Sequence, residues 1–337
     1  MKSLPVLLLL TLPAMAAVTG TVINRTTGQP QAGAVIALNR LGQNGIEQID
    51  QAKSDAQGHF TINQEVQGPH VLRTAFDGVT YNHMLPPGTP TTDLTVDVFN
   101  ASKQPGDAKV SKHMVFFEPS DAGQMIIQET FLYVNSGKTA WNDPDRGELS
   151  FYLPAAADGK AQVTATAPGG MPIPAALMKT PAADRMAVDF AIKPGETRFD
   201  VNYAVPYTAG QPYEGKVATK DDNTYLIAPQ GVTLSGDGLK DLGTEQRTQA
   251  HIFGLTGTSY KITLAGAVAP PTDAEGAGAA DQDHGPPIEA IMPRIYRNVP
   301  VLLGLALAIL AVGFIILYRK SSELPSPAKE ANERGRR

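Results

Sequence analysis

From Arg198 to Val205 the side chains alternate without a break. Phe199, Val201, Tyr203 and Val205 are apolar, and Arg198, Asp200, Asn202 and Ala204 stand between them. A period of two places successive side chains on opposite faces of an extended strand, one face buried and one wet. The same period returns along most of the chain. Val18 and Val22 flank Gly20, and Ile36 with Leu38, Phe60 with Ile62, and Leu94, Val96 and Val98 follow. Further on come Ile127, Phe131 and Tyr133 on one face, then Leu149, Phe151 and Leu153, then Met186, Val188, Phe190 and Ile192, then Tyr260, Ile262 and Leu264. Turn formers stand between these runs, such as Thr27-Gly28-Gln29-Pro30, Ser54-Asp55-Ala56-Gln57-Gly58, Phe76-Asp77-Gly78 and Pro86-Pro87-Gly88. With 32 glycines and 27 prolines in 337 residues, the chain has punctuation for many short strands and little room for long helices. The expected core of the protein is antiparallel β-sandwich.

Two segments break the pattern. Residues 1–16 carry Lys2, then a short apolar run from Leu4 to Leu12, then Ala14-Met15-Ala16. A basic start, a hydrophobic stretch and a small-x-small site read as a secretory signal peptide, cleaved after Ala16 or Ala17. Residues Val299 to Leu317 hold no charge. As a helix they would run about 28 Å, enough to cross a bilayer, so 299–318 is expected to be a single transmembrane helix with Tyr318 at its interface. The tail, 319–337, has six basic and three acidic residues, whereas only Arg294 and Arg297 lie close before the span. By the positive-inside rule the C-terminus is cytoplasmic and the ectodomain faces the periplasm or the outside. Residues 267–298 are rich in Ala, Gly and Pro and are expected to be a linker with a reach of about 30 Å. The expected fold class is thus an all-β ectodomain of two tandem β-sandwiches, 17–100 and 108–266, plus a single C-terminal transmembrane α-helix. Ala101 to Asp107 reads as a polar connection between them. The chain has no cysteine, so the sandwiches must hold by packing alone and without redox chemistry.

The first region also carries an ordered set of motifs. Gly20-Thr21-Val22, Thr27-Gly28-Gln29-Pro30, Gly33-Ala34-Val35-Ile36-Ala37-Leu38, Ser54-Asp55-Ala56-Gln57-Gly58-His59-Phe60, Val71-Leu72-Arg73 and Gly78-Val79-Thr80-Tyr81 follow one another at suitable spacing. In this it resembles the carboxypeptidase regulatory-like domain, a transthyretin-like β-sandwich, over about 85 residues. Gln31 stands where that family has an apolar residue. The resemblance implies a non-catalytic module of the cell envelope, with Tyr81 in its core, and implies no peptidase activity. In the second region, Phe131 to Gly137, Phe151 to Pro154 and Lys193 to Thr197 resemble immunoglobulin-like envelope domains.

Sites of chemistry are sparse. No His-Glu-x-x-His, Gly-x-Ser-x-Gly or phosphate-loop pattern occurs. His59, His70, His83 and His113 lie in or beside the first region and would have to converge to hold a metal; scattered strand histidines ordinarily face solvent. The carboxylate pairs Asp143 with Asp145 and Asp221 with Asp222 read as solvated loop charges. Asn142, Asp143 and Asp145 offer oxygen ligands, but not in the twelve-residue calcium pattern. Trp141, the only tryptophan, falls in a turn-rich stretch from Gly137 to Asp145. It would either stand exposed, able to stack on a sugar or anchor a protein contact, or fold back to plug the end of the sandwich. Trp141, Asn142, Asp143 and Asp145 are therefore the expected ligand- or partner-binding residues, with no catalytic residue, no metal and no cofactor expected.

The net charge of −5 leaves no excess of cations to neutralise phosphates and excludes a nucleic-acid binder. The expected function is non-enzymatic binding or scaffolding by a membrane-anchored envelope protein. Its expected partners are the membrane lipid bilayer and other envelope proteins or glycans. A carbohydrate-binding surface module is the alternative, marked by exposed aromatic rings on one face. A hydrolase is the third reading and would need His and carboxylate groups converging in a cleft.

Overall fold

In the first region Val18–Asn24 lies at the centre of one sheet. It pairs antiparallel with His59–Ile62 and parallel with Leu94–Val98, and its end pairs with Gln29–Pro30. A second sheet runs in the order Gly45–Lys53, Val35–Gly42, His70–Phe76, Val79–Leu85, all antiparallel. The structure, a computed structural model, describes residues 17–42, 45–120, 123–218 and 223–266. The segments 1–16, 267–298, 299–318 and 319–337, and the pair Asp221 and Asp222, lie outside the described residues. Among the described residues no helix is long and apolar enough to cross a membrane. The described residues are all-β, apart from one helical turn at Ala155–Ala157.

The period-two pattern places the first core between these sheets. Val18, Val22, Phe60, Ile62, Val96 and Val98 from one sheet meet Ile36, Leu38, Leu72, Val79, Tyr81 and Leu85 from the other, all nearly fully buried. Gly20 is required by this packing: a Cβ there would lie 2.4 Å from the Leu94 carbonyl and 2.8 Å from the Phe60 ring. The Ser54 to Gly58 turn is closed by Asp55, whose Oδ1 accepts the N–H of Gln57 at 2.9 Å and of His59 at 2.8 Å. An Asx turn of this kind is why an aspartate opens the turn before the next strand.

The second region is built on an eight-stranded sheet. Its order is Ile173–Pro174, Gln162–Thr166, Gly195–Pro206, Gln124–Asn135, Ala108–Ser120, Thr224–Ala228, His251–Leu255, Leu239–Thr244. Two three-stranded sheets complete the region: Leu149–Tyr152, Arg185–Val188 and Leu177–Lys179 form one, and Pro212–Lys216, Ser259–Gly266 and Val232–Asp237 the other. All three sheets feed one sandwich-like core that includes Phe117, Phe131, Phe151, Phe199, Tyr260 and Ile262. Phe199, Val201, Tyr203 and Val205 are buried as their alternation requires.

Three expectations need correction. The alternating runs of 108–266 read as roughly eight to ten strands, whereas the described residues hold fifteen there, three of them only two or three residues long and too short to show a period. The run from Met186 to Ile192 is not one strand: Ala187 and Val188 are both buried, and the strand ends at Val188. Ala101 to Asp107 is more than a connection. Ala101–Ser102 pairs in parallel with Ala140–Trp141 of the second region.

That small pairing joins the two regions. Ala140 is fully buried in the first core, while its neighbour Trp141 packs against the second. The Asn142 amide donates to Ser102 O at 2.8 Å, the Thr26 hydroxyl donates to Lys138 O, and the Lys193 ammonium donates to Thr80 O. The described residues accordingly fall in one compact unit.

Candidate functional site

The segment that carries Trp141 is held by a buried asparagine. Asn135, at the end of the long Gln124–Asn135 strand, accepts the Gly137 amide at 3.0 Å through Oδ1. Its Nδ2 donates to Thr139 O at 2.9 Å and to Ile192 O at 3.2 Å. Trp141 and Ile192 then exchange two backbone hydrogen bonds, each 2.9 Å. The Trp141 backbone is therefore fixed on both sides, between Ala101–Ser102 and Ile192. Trp141 is not in a free turn, as expected, but in a two-residue strand. Its indole is half-buried, 6.2 Å from the Tyr133 ring, and its Nε1 is buried without a hydrogen-bond partner among the described residues.

The residues that follow divide. Asp143 is 5% exposed, so the solvated loop charge expected there is a buried one. Its amide donates to Glu148 Oε1 at 2.5 Å, and its carbonyl accepts the amides of Arg146 at 3.1 Å and Gly147 at 2.7 Å. Arg146 Nε lies 3.5 Å from the Asp143 carboxylate. Asp145 is exposed and pairs with Lys103, whose hydrogen bond holds the Asp145 pKa below the usual carboxylate range. Glu148 is buried; its Oε2 accepts the Phe190 amide at 2.8 Å, and burial pushes its pKa up against these two amide bonds. Asn142, Asp143 and Asp145 are thus not brought together as an oxygen cluster.

Beside this segment lies a cavity of about 590 Å³ in the second region. Trp141, Tyr133, Phe131, Leu149 and Met178 give it apolar walls, and His113, Glu148, Arg146, Lys179 and Arg185 give it polar ones. His113 stacks on Phe131 with ring centroids 4.0 Å apart. Its Nε2 meets Glu129 Oε2 at 2.8 Å, and Glu129 Oε1 accepts the Tyr203 hydroxyl at 2.8 Å. His113 and Glu129 are both buried, and the Tyr203 hydroxyl is pushed well above its ordinary pKa, first by burial and then by the Glu129 charge. A buried carboxylate needs such partners, since an unpaired one costs several kcal/mol.

A second cavity, about 510 Å³, lies between the two regions and is bordered by Arg73, Tyr81, His83, Asn142, Phe190 and Lys193 among others. The Lys193 ammonium sits 5.1 Å from the centroid of the Tyr81 ring and donates to Thr80 O. Burial pushes its pKa down to about 8. The carbonyl and the ring face favour the charged form and act against that fall.

The four expected binding residues are therefore distributed. Trp141 and Asp145 border the larger cavity, Asn142 borders the cavity between the regions, and Asp143 borders neither. The histidines do not converge. His59 is exposed beside Asp55, His70 is buried against Gly68 O, and His113 belongs to the second region. Among the described residues no three His, Asp or Glu side chains are grouped as a metal site. Glu129 escaped notice, yet its signal was present. It occupies the same strand phase as Ile127, Phe131 and Tyr133, and a carboxylate on an apolar face must find a buried partner.

No known family profile matches the chain, and no curated protein matches it. Among solved structures, the chain is similar to a two-domain M1 zinc metallopeptidase bound to L-tryptophan, at 9% identity and a TM-score of 0.25, over 47% of this chain and 43% of that one. It is similar to an M1 zinc metallopeptidase from Deinococcus radiodurans at 9% identity and a TM-score of 0.24, over 47% and 42%. The chain spans less than half the length of these structures. Overlap this slight assigns neither fold family nor activity.

Proposed function

We propose that this chain is a non-enzymatic binding protein of the cell envelope whose ligand enters the cavity beside Trp141. A signal peptide at 1–16, a membrane helix at 299–318 and a cytoplasmic basic tail would make it a single-pass type I protein held at the bilayer. Residues 17–100, as a carboxypeptidase regulatory-like domain, would serve as the scaffold, and 108–266 as the ligand-bearing region. The observation that carries this reading is the segment Ala140 to Asp145. One stretch seals the first core with Ala140 and walls the cavity with Trp141, so the cavity has a rigid lining. Small-molecule sites have this character: concave, largely apolar, with a few placed polar groups.

The sugar-stacking alternative gains no support, because no Phe, Tyr or Trp among the described residues is exposed. The hydrolase reading gains one group, His113 oriented by Glu129, but no hydroxyl hydrogen-bonds His113 among the described residues. Other envelope proteins or glycans remain the partners proposed for the outer surface.

The test uses the fact that Trp141 is the sole tryptophan. Emission from the full chain in nanodiscs is titrated with 4-nitrobenzamide, a neutral aromatic quencher soluble in water. Saturable quenching is expected, and it should be lost in Ser150→Phe, which fills the cavity from an exposed strand position. Quenching that stays linear in wild type, or saturates equally in a Ser150→Phe protein of unchanged melting temperature, would overturn the proposal.

A further inference from the structure

The charges around the larger cavity do not balance locally. Both carboxylates on its lining are already engaged: Asp145 by the Lys103 ammonium, and Glu148 by the amides of Asp143 and Phe190. The cations are less so. Arg146 lies 3.5 Å from Asp143, but Lys179 and Arg185 form no ion pair among the described residues. These two come from neighbouring strands. Leu177–Lys179 runs antiparallel to Arg185–Val188, with Lys179 opposite Met186 in the register, next to Arg185. Both residues border the cavity, Lys179 leaving its strand on the face it shares with Met186 and Arg185 on the other face.

The remaining lining supplies no anion to meet them. His113 has its Nε2 committed to Glu129, and Phe131, Tyr133 and Trp141 present aromatic surface. The chain has a net charge of −5, yet the cavity lining holds no carboxylate besides Asp145 and Glu148. Two cations beside an aromatic wall suit a ligand with a flat apolar body and an anionic end. A guanidinium binds a carboxylate through two parallel N–H bonds, which fixes orientation as well as affinity.

We propose that the cavity binds a small aromatic or similarly flat carboxylic acid, its carboxylate held by Arg185 and Lys179 and its body laid against the Trp141 and Tyr133 side. This rests on the cavity being a ligand site, as argued above. The ligand class follows from the unmatched cations.

The experiment compares 4-nitrobenzoate with 4-nitrobenzamide, which have the same ring and nearly the same shape but differ in charge. Both quench Trp141, so binding is read from saturable loss of emission by the full chain in nanodiscs, against empty nanodiscs. The acid is expected to bind about tenfold more tightly than the amide, as two partly exposed charge contacts would give. That preference should shrink as salt is raised. It should be lost in Arg185→Gln with Lys179→Gln, while the amide binds the double variant as it binds wild type. Equal affinity for acid and amide, both saturable, would overturn the anion assignment and leave the cavity reading standing. Saturable binding of neither probe would overturn both. An acid preference that survives the double variant would show that the carboxylate lies elsewhere and would equally overturn the assignment.

Discussion

The two β-regions bury polar groups in different ways. In the first, the buried polar residues are Asn24, Asn39, Ser54, His70 and Thr74, with no carboxylate among them. Most of these serve the chain around them: Ser54 Oγ accepts the Ala34 amide at 2.9 Å and donates to Gln31 O at 2.7 Å, and His70 Nδ1 meets Gly68 O at 3.1 Å. The second region buries three carboxylates, Glu129, Asp143 and Glu148, all within or beside the lining of its cavity. Local turn-closing bonds stabilise a fold by about 1 kcal/mol each. Buried carboxylates give the fold little net stability and are costly when a partner is lost. Their concentration in one region is a folding cost that the first region does not carry.

The largest effect should come from Glu129. Glu129→Ala leaves His113 buried beside an empty site and removes the acceptor of the Tyr203 hydroxyl, which should cost about 3–5 kcal/mol in chemical denaturation. The double replacement Glu129→Leu with His113→Leu removes both ends of the pair and should recover most of that loss. Ser54→Ala in the first region should cost only about 1–2 kcal/mol. Equal losses for Ser54→Ala and Glu129→Ala would erase the distinction between the regions.

That distinction was only partly legible in the sequence. Strands such as Val18–Asn24 and Gly195–Pro206 announce themselves because a half-buried strand forces a period of two. The short strands Ala101–Ser102, Ala140–Trp141 and Ile173–Pro174 do not, since two residues have no period and are set by tertiary pairing. Trp141 was legible as unusual but not as a wall, because its position depends on Ile192, some fifty residues away in sequence. Asp143 looked solvated because its neighbours Pro144 and Asp145 are exposed; its burial follows from Glu148 capturing its amide. Glu129 was readable from strand phase alone. The cavity was not, since the pairing of strands distant from Trp141 in sequence, not a motif, brings Lys179 and Arg185 to its lining.

A middle-sized effect tests whether the regions stand alone. Ala140 has no exposed surface and sits in the first core, one residue from the indole that packs on the second. Ala140→Leu overfills that core and should cost about 1–3 kcal/mol. The informative readout is Trp141 emission, which reports the second region. If the regions unfold as one, the emission transition should shift with the far-ultraviolet circular dichroism transition and by the same amount. A variant that melts in two steps, with the emission step unmoved, would show two independent sandwiches joined by a passive strand.

The smallest effect concerns Lys193, which reaches from the second region to Thr80 and Tyr81 of the first. Burial holds its pKa down, to about 8. In the unfolded chain a lysine titrates near 10.4. Between those values the unfolded state binds more protons than the folded one, so stability rises as pH increases through this window. Below about pH 8 the amine is charged in both states, and the folded state carries the cost of burying that charge. Above about pH 10.5 both are neutral and the gain is complete. The carbonyl and ring contacts to the ammonium reduce the gain to about 1 kcal/mol. Other lysines and the buried tyrosines also titrate at high pH, so the quantity to measure is the difference between wild type and Lys193→Met. That difference should move in favour of wild type by about 1 kcal/mol from pH 7.5 to pH 10. Parallel profiles would mean that the Lys193 charge is solvated, and that the contact between the regions rests on the Ala140–Trp141 pairing without it.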